Sequence, residues 1–462
     1  MLVSFSVSNF RSFGDEETLN MVASNKLTEH PSHLVPVPGT GMSVLRAALL
    51  YGANAAGKSN LIRAMRFAQK VIESQGETVR RVDSFRFGSE SVSKPSSFEF
   101  RFLISGRVFV YGFDITSKRI CGEWLSVVKG DDELVVFERD AMGTAKIESK
   151  SRSWLADETT FSTLDKLILL PLRHDQLLLN RAIGIGLPES VQGSTLSAVI
   201  RWLTRNLVIL NPDHRESDIL DRLDDDENFC TFASRFLESV GTGVANLKIE
   251  KTERDASPYE RLLLKDRGSL KGMPRNEKLR ETDVVPIDDG SKRVISRRLI
   301  AEHPLPSGSA SLSFSEESDG TRQLLHLMPV LDSPPDEWRV VVIDELDRSL
   351  HPLICWEFLR FFSETTPGEH KQLIVTTHEA HLLNQDLLRR DEYWFVEKDA
   401  KQQSRLVSLS DFKVRNDLQV EKGYLQGRFG AIPVIGSMTA LEQLLQARST
   451  GDIANASQEA PS

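Results

Sequence analysis

Cysteine is scarce in this sequence: three in 462 residues, Cys121, Cys230 and Cys355, far apart, with no Cys-x-x-Cys pair and no histidine at metal-ligand spacing. That excludes a disulfide framework and a structural zinc site, and it suits a reducing compartment. Long apolar runs are also missing. No stretch of about 18 apolar residues is available to span a bilayer, and residues 1–11 lack a basic region followed by an apolar one. The expectation is a cytoplasmic chain with no membrane contact. Positive charge is in deficit: 57 Lys and Arg against 66 Asp and Glu leave a formal net charge of −9. This excludes a nucleic-acid coat over the whole surface and restricts any such contact to a local groove. There is no internal repeat, no heptad region for a coiled-coil tether and no metal-nuclease cluster.

What is present is an ordinary globular composition, 40% apolar and 27% charged, at a length that suits two or three domains. Residues 2–7 alternate apolar and polar as a half-buried strand does, and Ala47-Ala48-Leu49-Leu50-Tyr51 reads as a buried strand entering a glycine-bearing loop. Between 98 and 138, four β-rich runs (98–104, 108–115, 124–128 and 134–137) with a turn at Ser105-Gly106 predict an antiparallel sheet. From about 194 to 240 the spacing is helical, with Leu196, Val199, Ile200 and Leu203, then Ile219, Leu220, Leu223, Phe232 and Phe236, on apolar faces. Residues 251–311, rich in Lys, Arg, Gly, Ser and Pro, read as irregular or hairpin-like.

The loop after the first buried strand carries the chemistry. Gly52, Ala53, Asn54, Ala55, Ala56, Gly57, Lys58 and Ser59 match GxxxxGK[ST], and the helical run from Asn60 follows at once. Gly52 and Gly57 allow the backbone to wrap phosphates with its N–H groups inward, Lys58 reaches the β- and γ-phosphates, and the Ser59 hydroxyl ligates Mg²⁺. Further on, Arg339-Val340-Val341-Val342-Ile343 is a β-branched strand ending in Asp344 and Glu345. A strand buried on both faces reads as such a run, and its C-terminal end emerges beside the phosphate loop. Asp344 then holds Mg²⁺ and Glu345 orients and deprotonates the attacking water. A third strand, 373–378, ends in His378, placed near the γ-phosphate by the order of the three motifs. Glu317-Ser318-Asp319-Gly320-Thr321-Arg322 opens a helical run just before the acidic strand. Two readings of it stand: Ser318 and Gly320 bind the γ-phosphate of a second subunit, or Ser318 is the N-cap of an ordinary helix.

These motifs resemble those of the RecF/OLD-like branch of ABC ATPases, found in bacterial anti-phage and abortive-infection systems. Asn9-Phe10-Arg11-Ser12-Phe13 is similar to the opening of RecF and SMC-type heads, which implies that Arg11 flanks the nucleotide base. Asp344 to Pro352 is similar to the acidic segment of OLD-like proteins, with His351 where transporter heads have an aspartate. Tyr424 to Pro433 resembles a feature of the same branch, and Gln176 is a candidate Q-loop residue. The Toprim nuclease set of OLD proteins is missing after His378. The resemblance implies an α/β P-loop NTPase of ABC/SMC-head type, with residues 1–150 and 311–440 forming the ATPase head, an antiparallel β subdomain in the first part, a mainly helical and basic insertion at 151–310, and a tail at 441–462 whose end is disordered.

The implied cofactors are ATP and Mg²⁺, and the implied assembly is a homodimer or larger homo-oligomer closed around ATP. Three roles compete. The leading one is an ATPase switch controlling a separately encoded effector, in anti-phage defence. The alternative is a RecF-like repair ATPase acting on DNA or RNA. Residues 248–298 hold 14 Lys and Arg against 10 Asp and Glu, and two readings of them stand: Lys292, Arg293, Arg297 and Arg298 line a groove for a phosphate backbone, or the mixed charges form a solvated face. A non-hydrolysing scaffold is the third, and retention of Glu345 argues against it.

Overall fold

The computed structural model describes residues 1–74, 81–88, 93–130, 132–169, 171–186, 193–210, 219–257, 282–286, 293–332, 339–365, 371–412 and 420–431. Its centre is a six-stranded sheet in the order Leu207–Leu210, Arg339–Ile343, Lys371–Thr376, Ala47–Tyr51, Tyr393–Lys398 and Ser404–Ser408. All neighbours are parallel except the last pair. Period-two alternation divides the side chains. Ala48, Leu50, Val340, Val342 and Ile374 face one apolar core, while Ala47, Leu49, Tyr51, Val341, Ile343, Leu373 and Val375 face another. Burial on both faces is why these strands read as continuous apolar runs.

Helix Lys58–Glu73 covers the first face through Leu61, Ile62, Ala64, Met65 and Ala68. Beyond it lies a seven-stranded antiparallel sheet in which the first strand, Leu2–Ser8, pairs with Ser96–Ile104 and Glu17–Asn20, and strands 107–115, 120–129, 132–139 and 145–147 complete the order. This is the expected antiparallel subdomain. The Ser105-Gly106 turn has positive φ at both residues, as a two-residue hairpin of that hand requires. Helices Asp319–Leu331, Pro352–Thr365 and Glu227–Ser239 cover the second face. Among the described residues no helix is long and apolar enough to cross a membrane.

Residues 151–310 depart from the expected helical insertion in two ways. Leu207–Leu210 is not part of an insert at all, because it is a strand of the central sheet beside the acidic strand. Past Ser239 the chain turns to β-structure: Asn246–Asp255, Thr282–Pro286, Arg293–Leu305 and Gly308–Ser313 form an antiparallel sheet. The helical spacing from 194 to 240 holds on either side of the strand, in Thr195–Arg201, Ile219–Asp225 and Glu227–Ser239. The tail at 441–462 and the residues Ile432 and Pro433 lie outside the described residues.

Candidate active site

Because strands Ala47–Tyr51, Lys371–Thr376 and Arg339–Ile343 are parallel neighbours, their C-terminal ends share one rim. The histidine strand lies between the other two, so all three motifs open onto the same place. Ser59, at the start of the first helix, donates its hydroxyl to Asp344 Oδ1 at 3.0 Å. Thr376 Oγ1 donates to the same oxygen at 2.7 Å and accepts the Glu345 backbone N–H at 2.7 Å. The Asp344 N–H continues the ladder to the Leu210 carbonyl. Two oxygens assigned to one Mg²⁺ by sequence thus converge across 285 positions of chain, and a hard dication prefers such a set of carboxylate and hydroxyl oxygens.

Lys58 is buried and donates from Nζ to the carbonyls of Gly52 at 2.6 Å and Ala53 at 3.4 Å. Burial lowers its ammonium to about 8, against the opposing pull of Asp347, Asp344 and Glu345. A phosphate arriving at the loop therefore meets a cation whose other partners are neutral carbonyls. Asn54 and Ala55 are exposed at the loop tip, and Ala56 is buried. Gly52 fits closely: a Cβ there would stand 2.5 Å from the Val396 carbonyl oxygen. Gly57 has φ +122°, and a Cβ on it would meet the hydroxyls of Ser404 and Ser12. Ala55 holds φ +64° without being glycine. A left-handed L-residue costs about 1–2 kcal/mol, so Ala55→Gly should raise the unfolding free energy of the nucleotide-free protein by about 1 kcal/mol. Chemical denaturation checks this; an unchanged or lower midpoint would show that the loop carries no such strain.

The turn Asn9 to Phe13 sits behind the loop. Asn60 Nδ2 donates to Ser12 Oγ at 2.9 Å, the Ser12 and Ser404 hydroxyl oxygens lie 2.7 Å apart, and Ser404 Oγ stands 2.5 Å from the Ala56 carbonyl oxygen. Ser404 has one proton, claimed by Ala56, which leaves Ser12 to donate to Ser404. The phosphate loop is thus braced through side chains from both ends of the described chain. Arg11 adopts φ 51° and pairs with Asp83 at 2.9 Å, so its guanidinium is anchored beside this turn.

His378 lies two residues past the end of its strand and is exposed. Partial desolvation and then the Lys58 charge hold its imidazole below the usual value, with Asp347, Glu345 and Asp344 opposing. The histidine and the phosphate-loop lysine share one electrostatic environment.

Ser318 caps helix Asp319–Leu331, accepting the Thr321 N–H at 3.1 Å. Within one subunit this is the ordinary N-cap arrangement. Gly320 has a further reason to be glycine: a Cβ would stand 2.6 Å from the Ser349 carbonyl oxygen, so the helix start abuts the loop that follows Glu345.

One sequence expectation does not hold. Gln176 precedes helix Leu178–Gly184, whose Asn180 Nδ2 donates to the carbonyls of Val71 and Ile72 at the far end of the phosphate-loop helix. A helix of 16 residues is about 24 Å long, which removes Gln176 from the site. Of the four basic residues assigned to a groove, Arg298 is exposed and two are engaged in ion pairs. Arg297 is buried, with ion pairs to Asp221 at 2.5 Å and Asp224 at 3.5 Å, and Arg293 pairs with Glu253 at 2.6 Å. Lys292 lies outside the described residues. Conversely, Thr376, Asp347 and Ser404 belong to the site and carried no sequence signal beyond the Thr-Thr before His378. The Tyr424 segment acquires a structural role: Tyr424 and Phe429 stack on Phe395, and Tyr424 meets Tyr51, the last residue of the phosphate-loop strand, edge-on at 5.7 Å.

Residues 47–161 and 210–384 match the family described as “AAA domain, putative AbiEii toxin, Type IV TA system”. No curated protein is a significant match. Among solved structures, the SMC head domain from Thermotoga maritima is 13% identical, with 88% of this chain and 98% of that chain covered at a TM-score of 0.37. An Smc head domain with an extended coiled coil, bound to the C-terminal domain of ScpA and derived from Pyrococcus furiosus, is 13% identical, with 96% and 99% covered at 0.41. An SmcHead bound to the C-winged helix domain of ScpA is 14% identical, with 88% and 97% covered at 0.39. Likeness at that level adds nothing to the fold already seen, whereas the family match spans well over half of the chain and includes the phosphate loop, Asp344, Glu345 and His378. The chain belongs to this AAA-domain family of P-loop proteins.

Proposed function

We propose that this chain binds and hydrolyses ATP with Mg²⁺, that two copies close around the nucleotides, and that opening and closing controls a separately encoded effector protein in the bacterial cytoplasm. The observation that carries the reading is the 3.0 Å approach of Ser59 Oγ to Asp344 Oδ1, with Thr376 bracing the same carboxylate. In this reading the loop amides from Gly52 to Asn60 and the ammonium of Lys58 hold the phosphates, and Arg11 flanks the base. Ser59 and Asp344 hold Mg²⁺, which when bound neutralises charge on the phosphates. Glu345 orients water and takes its proton, and His378 attends the γ-phosphate. Ser318 and Gly320 close the site of the second copy.

The defence role draws support from the family description, which names a toxin of a type IV toxin–antitoxin system and so suits a chain that works opposite a second gene product. Direct action on nucleic acid, the RecF-like alternative, has less behind it, since Arg297 and Arg293 are engaged with carboxylates.

Turnover of ATP by the purified protein is expected to stop on removal of Mg²⁺ with EDTA and to return on its re-addition. Phosphate release measured across that cycle is the test. Turnover indifferent to the metal would take Ser59 and Asp344 out of their assigned role.

A further inference from the structure

The sheet that assembles the site stops short of His378. Thr377 N–H bonds the Leu50 carbonyl at 3.1 Å on one side, and Leu346 N–H bonds the Thr376 carbonyl at 3.1 Å on the other. His378 is the next residue, beyond the regular ladder, and its backbone N–H points to the two carboxylate oxygens of Asp347 at 3.3 and 3.2 Å. Asp347 is itself well placed to hold something. The loop leaving the acidic strand turns at Glu345, which has φ 56°, and closes through Arg348 N–H to the Glu345 carbonyl at 3.1 Å and Leu350 N–H to the Asp347 carbonyl at 3.3 Å. Leu346 and Leu350 are buried beneath it.

We propose that Asp347 is a positioning residue that, by accepting the His378 backbone N–H, fixes where the imidazole stands against Lys58 and the terminal phosphate. The inference rests on the ATPase reading above. Direct contact with the phosphate is unsuitable for Asp347, because two anions repel, and the metal position is already served by Asp344 and Ser59. The Asp347 charge also favours the cationic forms of Lys58 and His378, against the burial that lowers both. Without it, His378 hangs from a loop past the last ladder bond, and a displacement of about 1 Å in a catalytic group can cost on the order of 10²-fold in rate.

The test is a cycle of variants assayed for ATP binding and for kcat. Asp347→Ala is expected to lower kcat about 10- to 100-fold while ATP affinity stays within about threefold of wild type, because no ligand to ATP has been removed. Asp347→Asn keeps an oxygen acceptor in the same place and should restore most of the rate. In a His378→Ala background, Asp347→Ala should cost nothing further, since it acts through the missing side chain. Wild-type kcat in Asp347→Ala, a full additional loss in the His378→Ala background, or an Asn variant no better than Ala would each overturn the inference while leaving the ATPase reading intact. A wild-type protein with no ATP turnover would remove both.

Discussion

Glu345→Gln is expected to bind ATP as wild type does and to turn it over roughly 10²- to 10⁴-fold more slowly. The position of Glu345 is held by its backbone, not by its carboxylate: the N–H bonds Thr376 Oγ1 at 2.7 Å, and the carbonyl accepts from Arg348. The carboxylate is therefore available for chemistry. A left-handed φ of 56° at a non-glycine residue marks a place where the surroundings impose strain, which is common where a side chain must be aimed. Glutamine has the same shape and backbone preference but cannot take a proton from water at neutral pH. Rate should fall and affinity should not, so the variant should accumulate the ATP-bound closed pair. Equilibrium binding and single-turnover hydrolysis on the same preparation separate the two quantities. Loss of affinity in step with loss of rate would show that Glu345 supports the loop and is not the base.

What the sequence reveals of this site follows from how each part is stabilised. The phosphate loop needs Gly52 and Gly57 because a Cβ at either meets neighbouring atoms, so its spelling is constrained. The acidic and histidine strands are buried on both faces, and burial demands the apolar runs that make them recognisable. Leu207–Leu210 escaped notice because it is four residues long and continues directly from the helical turn at Trp202 to Asn206, so no break in apolar spacing announces it. Strand Asn246–Asp255 is hidden for the opposite reason: it is exposed along most of its length, with Leu247 its one buried residue, so it carries little period-two signal. Thr376, Asp347 and Ser404 act across separations of 32, 31 and 348 residues from Asp344, His378 and Ala56. Single polar residues with such distant partners leave no local pattern. In the basic stretch charge counts ignore direction: Arg297 turns inward onto Asp221 and Asp224, whose part in the pairing is invisible from residues 248–298 alone.

Lys58→Ala and Ser318→Asp are each expected to abolish turnover alone and to restore about a quarter of the wild-type rate when mixed in equal amounts. Lys58 supplies the loop's ammonium, so Lys58→Ala should leave a folded protein that no longer holds the phosphates. Ser318 is exposed, and its service to its own chain is the helix N-cap. Aspartate caps as well as serine does, so Ser318→Asp keeps helix Asp319–Leu331 in place while setting a carboxylate against any phosphate presented to it. If Ser318 and Gly320 complete the site of the second copy, a mixed pair has one composite site with an intact lysine facing an intact serine, and one site with both defects. Random assortment makes half of the pairs mixed, each with one working site of two, which gives the quarter. The close approach of Gly320 to Ser349 ties this helix start to the loop bearing the same chain's Glu345 and Asp347, so binding a second copy's phosphate in trans would bear on the chain's own site as well. Phosphate release from each variant and from the mixture, with co-assembly verified by differential tags, is the measurement. A mixture that stays inactive despite co-assembly would exclude independent composite sites, and full activity of Ser318→Asp alone would show that Ser318 is a helix cap and nothing more.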